Sequence, residues 1–264
     1  MIVRDRGDAW QVVLQPDHAD LSAQFARAWG NSDGFAAPNP FEPVVVAAAR
    51  HDDGWAVWER APALDREGVA PRNFLDVEVP SHLAFYRAMI AAVLDQDPYA
   101  GLLVSMHGAG IYRGRYGTQP SLRLTFADEV RGQVEAFVAE QEELQSRLVE
   151  QLGVPEEERW TNYRFLQVYD RLSLYFCLRD VEAGEPDTLE PVPRDYRGAE
   201  ATLALEPAGP WRVRVDPYPF AQRPATFRLV RRLLPKRGER DGESFRREFA
   251  AAVPEEVEIM VDSR

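Results

Sequence analysis

The sequence predicts an α+β fold, mainly helical with an added antiparallel β part, and three observations predict it. Two long stretches, ADEVRGQVEAFVAEQEELQSRLVEQLG and the segment from Glu157 to Leu178, carry apolar residues at helical spacing. Four later segments, ATLALEP, WRVRVDPYPF, ATFRLVRRLLP and EVEIMV, are short, alternate in polarity and are broken by proline and glycine, as antiparallel strands are. The opening MIVRDRGDAWQVVLQ reads as two more short strands about a turn at Arg6-Gly7-Asp8, with alternation through Trp10, Val12 and Leu14, a hairpin that the later strands could join in one sheet.

In chain order, a helix starts near Pro16-Asp17, with the aspartate as its cap, and runs to a stop at Gly30. GNSDGFAAPNPFEP is a loop rich in glycine, proline and asparagine, and VVVAAAR is a short apolar helix ending at His51. From Trp55 to Pro80 prolines and acids predict an irregular excursion. Ser81 then caps a helix with Phe85, Met89, Ile90 and Val93 on its apolar side, and GLLVSMHGAG is a further buried segment. The first long helix places Val130, Val134, Phe137, Val138, Leu144 and Leu148 on one stripe; the second is apolar on most sides and therefore central. These elements divide into residues 1–190, helical with the N-terminal hairpin, and a β-rich part, 191–264, packed on it. The β part has three open roles: a lid, a support for the helices, or a homodimer contact.

Composition removes several function classes. The net charge of -12 repels phosphate backbones, so no nucleic-acid polymer is expected as a partner. No apolar run approaches the roughly 20 residues that span a bilayer, and charges at the N-terminus do not suit a signal peptide, so no membrane association and a cytoplasmic location are expected. With one cysteine, Cys177, there is no internal disulfide and no cysteine-built zinc site. A metal would have to use histidine and carboxylate.

All four histidines, His18, His51, His82 and His107, lie in the helical part. His51-Asp52 interrupts VVVAAAR, either as an ordinary helix end favoured by the macrodipole or as a site. Asp170, in YRFLQVYDRLSLYFC, shares a helix face with Leu166, Ser173 and Cys177, where a bare carboxylate is costly unless paired, hydrogen-bonded or bound to metal. HGAGIYRGRYG puts Arg113 and Arg115 in a glycine-rich loop, either solvated or holding an anion bidentately. The GAG run completes no dinucleotide fingerprint, and Ser105 sits in no nucleophile elbow.

A histidine, then His-Asp at a helix end, then an aspartate on a long later helix resembles the HD-domain metalloenzyme superfamily. HDDGW and DRLSLYFC are also similar to stretches of an uncharacterised bacterial HD-like family. The resemblance implies a helical HD bundle in which His18, His51, Asp52 and Asp170 hold a first ion, and His82 and His107 a second when the centre is binuclear. The implied cofactor is a divalent transition metal, iron or manganese, as one or two ions; neutral imidazoles suit such ions. The leading expectation is a phosphohydrolase or phosphodiesterase on a small anionic substrate such as a nucleotide, with Asp53 orienting water and Arg113 or Arg115 offsetting phosphoryl charge. A di-iron oxygenase uses the same ligands and is the first alternative. A non-catalytic binding protein is the second, because Trp55 stands where many members of the superfamily carry a basic residue.

Overall fold

The computed structural model describes residues 1–114, 126–179, 181, 184–238 and 241–264. The chain forms a hairpin, β1 (Ile2–Asp5) and β2 (Ala9–Val13), then helices α1 (Gln15–Ala28), α2 (Phe41–Arg50), the short α3 (Ala56–Glu59), α4 (Val79–Gln96), α5 (Pro98–Arg113), α6 (Asp128–Leu152) and α7 (Glu156–Leu178). Strands β3 (Asp187–Pro193), β4 (Glu200–Gly209), β5 (Arg212–Asp216) and β6 (Ala225–Pro235) follow, then α8 (Gly242–Ala251) and β7 (Glu255–Ser263). The architecture is α+β.

The β part is larger than the expected small antiparallel sheet and holds one parallel pair, while the hairpin joins the later strands, as one of the expected arrangements had it. All seven strands form one sheet in the order β1-β2-β6-β7-β5-β4-β3, so the N-terminal hairpin and the C-terminal strands belong together, and β3 straddles residue 190. Every pair is antiparallel except β5 with β7, which is parallel. The sheet curls, because α7 packs against both edge strands, β1 and β3, while α1 lies between α7 and β6. The period-2 pattern explains the register: Ala225, Phe227 and Leu229 of β6 and Val257, Ile259 and Val261 of β7 are buried, whereas Arg228, Glu256 and Glu258 are exposed.

One core serves helices and sheet. Phe25 of α1 and Trp29, just past its end, meet Phe176 and Tyr169 of α7 and Phe227 of β6, with ring centroids 4.6 to 6.0 Å apart. Such rings bury large apolar areas and lock the angle between elements. The helices α2, α4 and α7 all pack on α5, whose residues Tyr99 to Gly110 are buried throughout.

Two helix starts differ from expectation for a local reason. α1 begins at Gln15, before Asp17, and its first amide is satisfied by the buried Glu59 carboxylate of α3 at 3.0 and 3.2 Å, so Asp17 is a first-turn acid and not the cap. α4 begins at Val79, since Pro80 suits a first helical turn, and Ser81 falls inside it. The excursion expected from Trp55 to Pro80 contains α3 and a single 3-10 turn, Phe74–Asp76, with an Asn73 capping box. Among the described residues, no helix is long and apolar enough to cross a membrane.

Candidate metal centre

Four helices deliver the polar groups. α1 presents His18, the last turn of α2 ends in His51, α5 carries His107 and α7 carries Asp170. His18 and His51 have no exposure, and Asp52, His107 and Asp170 are buried. Asp52 leaves the helix at φ −127°, ψ 13°, and the chain turns through a 3-10 segment, Asp53–Trp55. Gly54 makes that turn possible: a Cβ on it would lie 2.5 Å from the carbonyl oxygen of Phe85, so only glycine lets the turn close on α4. HDDGW is thus a helix end pressed against a neighbouring helix, with Asp52 turned inward.

The donor atoms converge. His18 Nε2 is 3.1 Å from Asp170 Oδ1 and 3.6 Å from Asp52 Oδ2; His51 Nε2 is 3.6 Å from Asp170 Oδ1 and 3.7 Å from Asp52 Oδ2. Donors ~2.1 Å from a common ion lie ~3.0 Å apart at right angles and ~3.4 Å apart at the tetrahedral angle. The four distances match those edges to within a few tenths of an ångström. Two groups have all their donor atoms within 4.8 Å of one another, His18 with His51 and Asp52, and His51 with His107 and Asp170. They share His51, so five of the six sequence-derived ligands form one cluster.

The far sides of the imidazoles explain why this arrangement suits a cation. His51 Nδ1 lies 2.8 Å from the carbonyl oxygen of Ala48, which can only accept, so Nδ1 carries the proton and donates. His18 Nδ1 is bound to Ser173 Oγ. That serine can donate to Asp170 O at 3.2 Å, and Ser22 to His18 O at 3.2 Å, which leaves Ser173 to accept from His18. Both Nε2 atoms are buried and, among the described residues, lack a hydrogen-bond partner. A neutral imidazole would then aim a lone pair at two carboxylates, and only a proton or a cation relieves that repulsion. Outer hydrogen bonds of this kind set the tautomer of metal-ligating histidines. Two carboxylates with neutral imidazoles also balance one divalent ion, and no other charged group is required.

Without metal, the proton takes that place. Burial alone would lower the His51 pKa, but the Asp52 and Asp170 carboxylates outweigh it and raise it from 6.5 to about 9. Burial would likewise push Asp170 up, yet the His18 and His51 imidazoles hold it well below the ordinary carboxylate range. For His107 burial outweighs the pull of Asp170 and Asp52, with His51 and His18 adding to the downward shift, and takes it down to about 4, leaving a neutral ligand at pH 7. A raised histidine stabilises the fold below its unfolded pKa and loses that contribution as pH rises through the folded value. Metal-free protein should therefore lose stability between pH 6.5 and pH 9 on this group's account. Because an ion must displace the same proton, its apparent affinity should rise over that window. Denaturant titrations and metal titrations at pH 6 and pH 9 check both; affinity independent of pH would contradict the proton competition.

The remaining sequence candidates lie elsewhere. His82 is partly buried beside the cluster and belongs to neither donor group; its Nδ1 is 2.6 Å from the Tyr112 hydroxyl, and its ring sits between Trp55 and Tyr86 at 5.0 and 4.8 Å. Burial takes its pKa down to about 4. Asp53 pairs with Arg50 at 2.9 Å. Arg113 ends α5 and grips Glu142 of α6 with two hydrogen bonds of 3.0 and 2.9 Å, half exposed. Arg115 lies outside the described residues. Trp55 is buried, a wall for this region. Sequence reasoning missed the supporting groups: Ala48 O, the hydroxyl of Ser22, and Tyr86, which sits one helical turn after His82. That i, i+4 spacing was the one available signal for Tyr86.

Residues 1–236 match the family model described as "Protein of unknown function (DUF3891)", and the chain belongs to that family. No curated protein and no solved structure matches the chain.

Proposed function

For this member of the DUF3891 family we propose a metal-dependent hydrolase of the HD type, acting on a phosphate ester of a small molecule. The observation that carries the reading is the convergence of His18 and His51 Nε2 with Asp52 Oδ2 and Asp170 Oδ1 at the spacing of one coordination sphere, in the ligand order that the superfamily uses. These four would hold a first ion, iron or manganese. His107 would offer a second ion a ligand beside it, with the Asp170 carboxylate as the acid available to both, since the single Nε2 lone pair of His51 serves one ion. A bound ion of this kind supplies a water acidic enough to ionise near neutral pH and polarises a phosphoryl oxygen.

The chain's own residues do the rest. Ser173 and the Ala48 carbonyl fix the two imidazoles with Nε2 inward, and burial keeps competing water from them. Trp55 and the His82–Tyr112 pair wall the side next to Tyr86. Arg113 is committed to Glu142, so it does not take the charge-offsetting role expected of it.

The test is turnover of mono- and bis-nitrophenyl phosphate by manganese-loaded protein, wild type beside His51→Ala. Removing a residue of the metal sphere should cut the rate by at least about 100-fold. Equal rates in the two proteins would sink the assignment, and oxygen consumption by iron-loaded protein in place of ester turnover would move it to the oxygenase reading of the same ligands.

A further inference from the structure

Asp52 uses only one of its oxygens toward the imidazoles. Oδ2 lies 3.6 and 3.7 Å from His18 and His51 Nε2, while Oδ1 accepts a hydrogen bond from the Tyr86 hydroxyl at 3.4 Å. Among the described residues that is the one hydrogen bond the carboxylate receives. Tyr86 is itself buried, with its ring between those of His82 at 4.8 Å and His107 at 6.1 Å. Room for it is made on α5: a Cβ on Gly108 would lie 2.8 Å from Tyr86 Cδ1. A side chain on that helix position would displace the ring and with it the hydroxyl.

We propose that Tyr86 is a positioning residue for Asp52, its hydroxyl holding Oδ1 outward so that Oδ2 alone is presented to the ion. The proposal rests on the reading of Asp52 as a ligand. It completes a pattern in which every inward donor of the first group has its opposite atom held from outside: Ser173 for His18, Ala48 O for His51 and Tyr86 for Asp52. Without the hydroxyl, the Asp52 side chain is free to rotate and loses part of its preorganisation. Such outer partners are worth ~10- to 100-fold in metal affinity.

The experiment is a manganese titration followed by the electron paramagnetic resonance of free Mn(II), on wild type, Asp52→Ala and Tyr86→Phe, with melting curves of each metal-free protein. Tyr86→Phe keeps the ring and its packing, so its melting curve should match the wild type while its dissociation constant for manganese rises about tenfold. Gly108→Ala, which pushes on the ring, should weaken binding in the same direction. Tight binding by wild type, loss in Asp52→Ala and unchanged affinity in Tyr86→Phe would overturn the role of Tyr86 while leaving the metal reading intact. Equal binding, or none, in wild type and Asp52→Ala would overturn the ligand reading and this inference with it.

Discussion

Asp170→Ala should abolish metal binding and, in the metal-free protein at pH 6, cost 3–5 kcal/mol of stability. Asp170 Oδ1 lies 3.1 Å from His18 Nε2 and 3.6 Å from His51 Nε2, nearer to each than Asp52 is, so its loss removes one of the four ligands of the first ion and the acid of the second donor group. At pH 6 the His51 imidazole is protonated because Asp52 and Asp170 hold it so. Deleting Asp170 breaks up this buried ionic network and leaves Asp52 as the single acid holding the proton on His51. Above pH 9 the imidazole has lost its proton in the wild type as well, and the gap between the two proteins should narrow. Denaturant unfolding of both at pH 6 and pH 9.5 checks this. A constant gap would mean that Asp170 stabilises by packing alone.

Ending the chain after Pro254 should prevent folding to a soluble, cooperative state. β7 is the last strand in sequence but sits inside the sheet, hydrogen-bonded to β6 over seven residue pairs from Ala225–Val261 to Arg231–Glu255, and to β5 on its other side. Its removal exposes the backbone edges of both neighbours and unburies Val257, Ile259 and Val261, a loss of roughly 5–9 kcal/mol in side-chain burial alone. That approaches the whole stability of an ordinary domain. Circular dichroism and solubility of the shortened chain are the readout; a soluble protein with a sharp melting transition would contradict the central role of β7. The family match ends at residue 236, so this strand lies beyond the matched region although β6 and β5 depend on it.

What the sequence could disclose follows the range of the physics involved. Helices with a clear apolar stripe, such as α6 and α7, and the alternating β6 and β7 are local patterns and were legible. The placement of β7 between β6 and β5, and the single parallel pair, depend on contacts between segments distant in the chain and leave no local mark. The cap of α1 was misread for the same reason: Asp17 looked sufficient, but the group that satisfies Gln15 N is Glu59, 44 residues away in sequence. At the candidate site, His18, His51, Asp52, His107 and Asp170 were readable as residue types in an order, and the fold brings them together. His82 had the right type and order but stands with Tyr112 instead, because α4 enters with its first turn against Trp55 and not against α7. The atoms that orient the ligands, a backbone carbonyl, two serine hydroxyls and one tyrosine, are too common in type to stand out before their contacts are known.

The most direct test of the central claim is elemental analysis of the purified, untagged protein, wild type beside Asp52→Ala, after reconstitution with iron or manganese and removal of loose ions. The expected result is one to two equivalents of metal in the wild type and almost none in a mutant whose circular dichroism is unchanged. No metal in the wild type would contradict it, and would leave the His18, His51, Asp52 and Asp170 cluster as a buried, proton-bridged structural network at the end of α2.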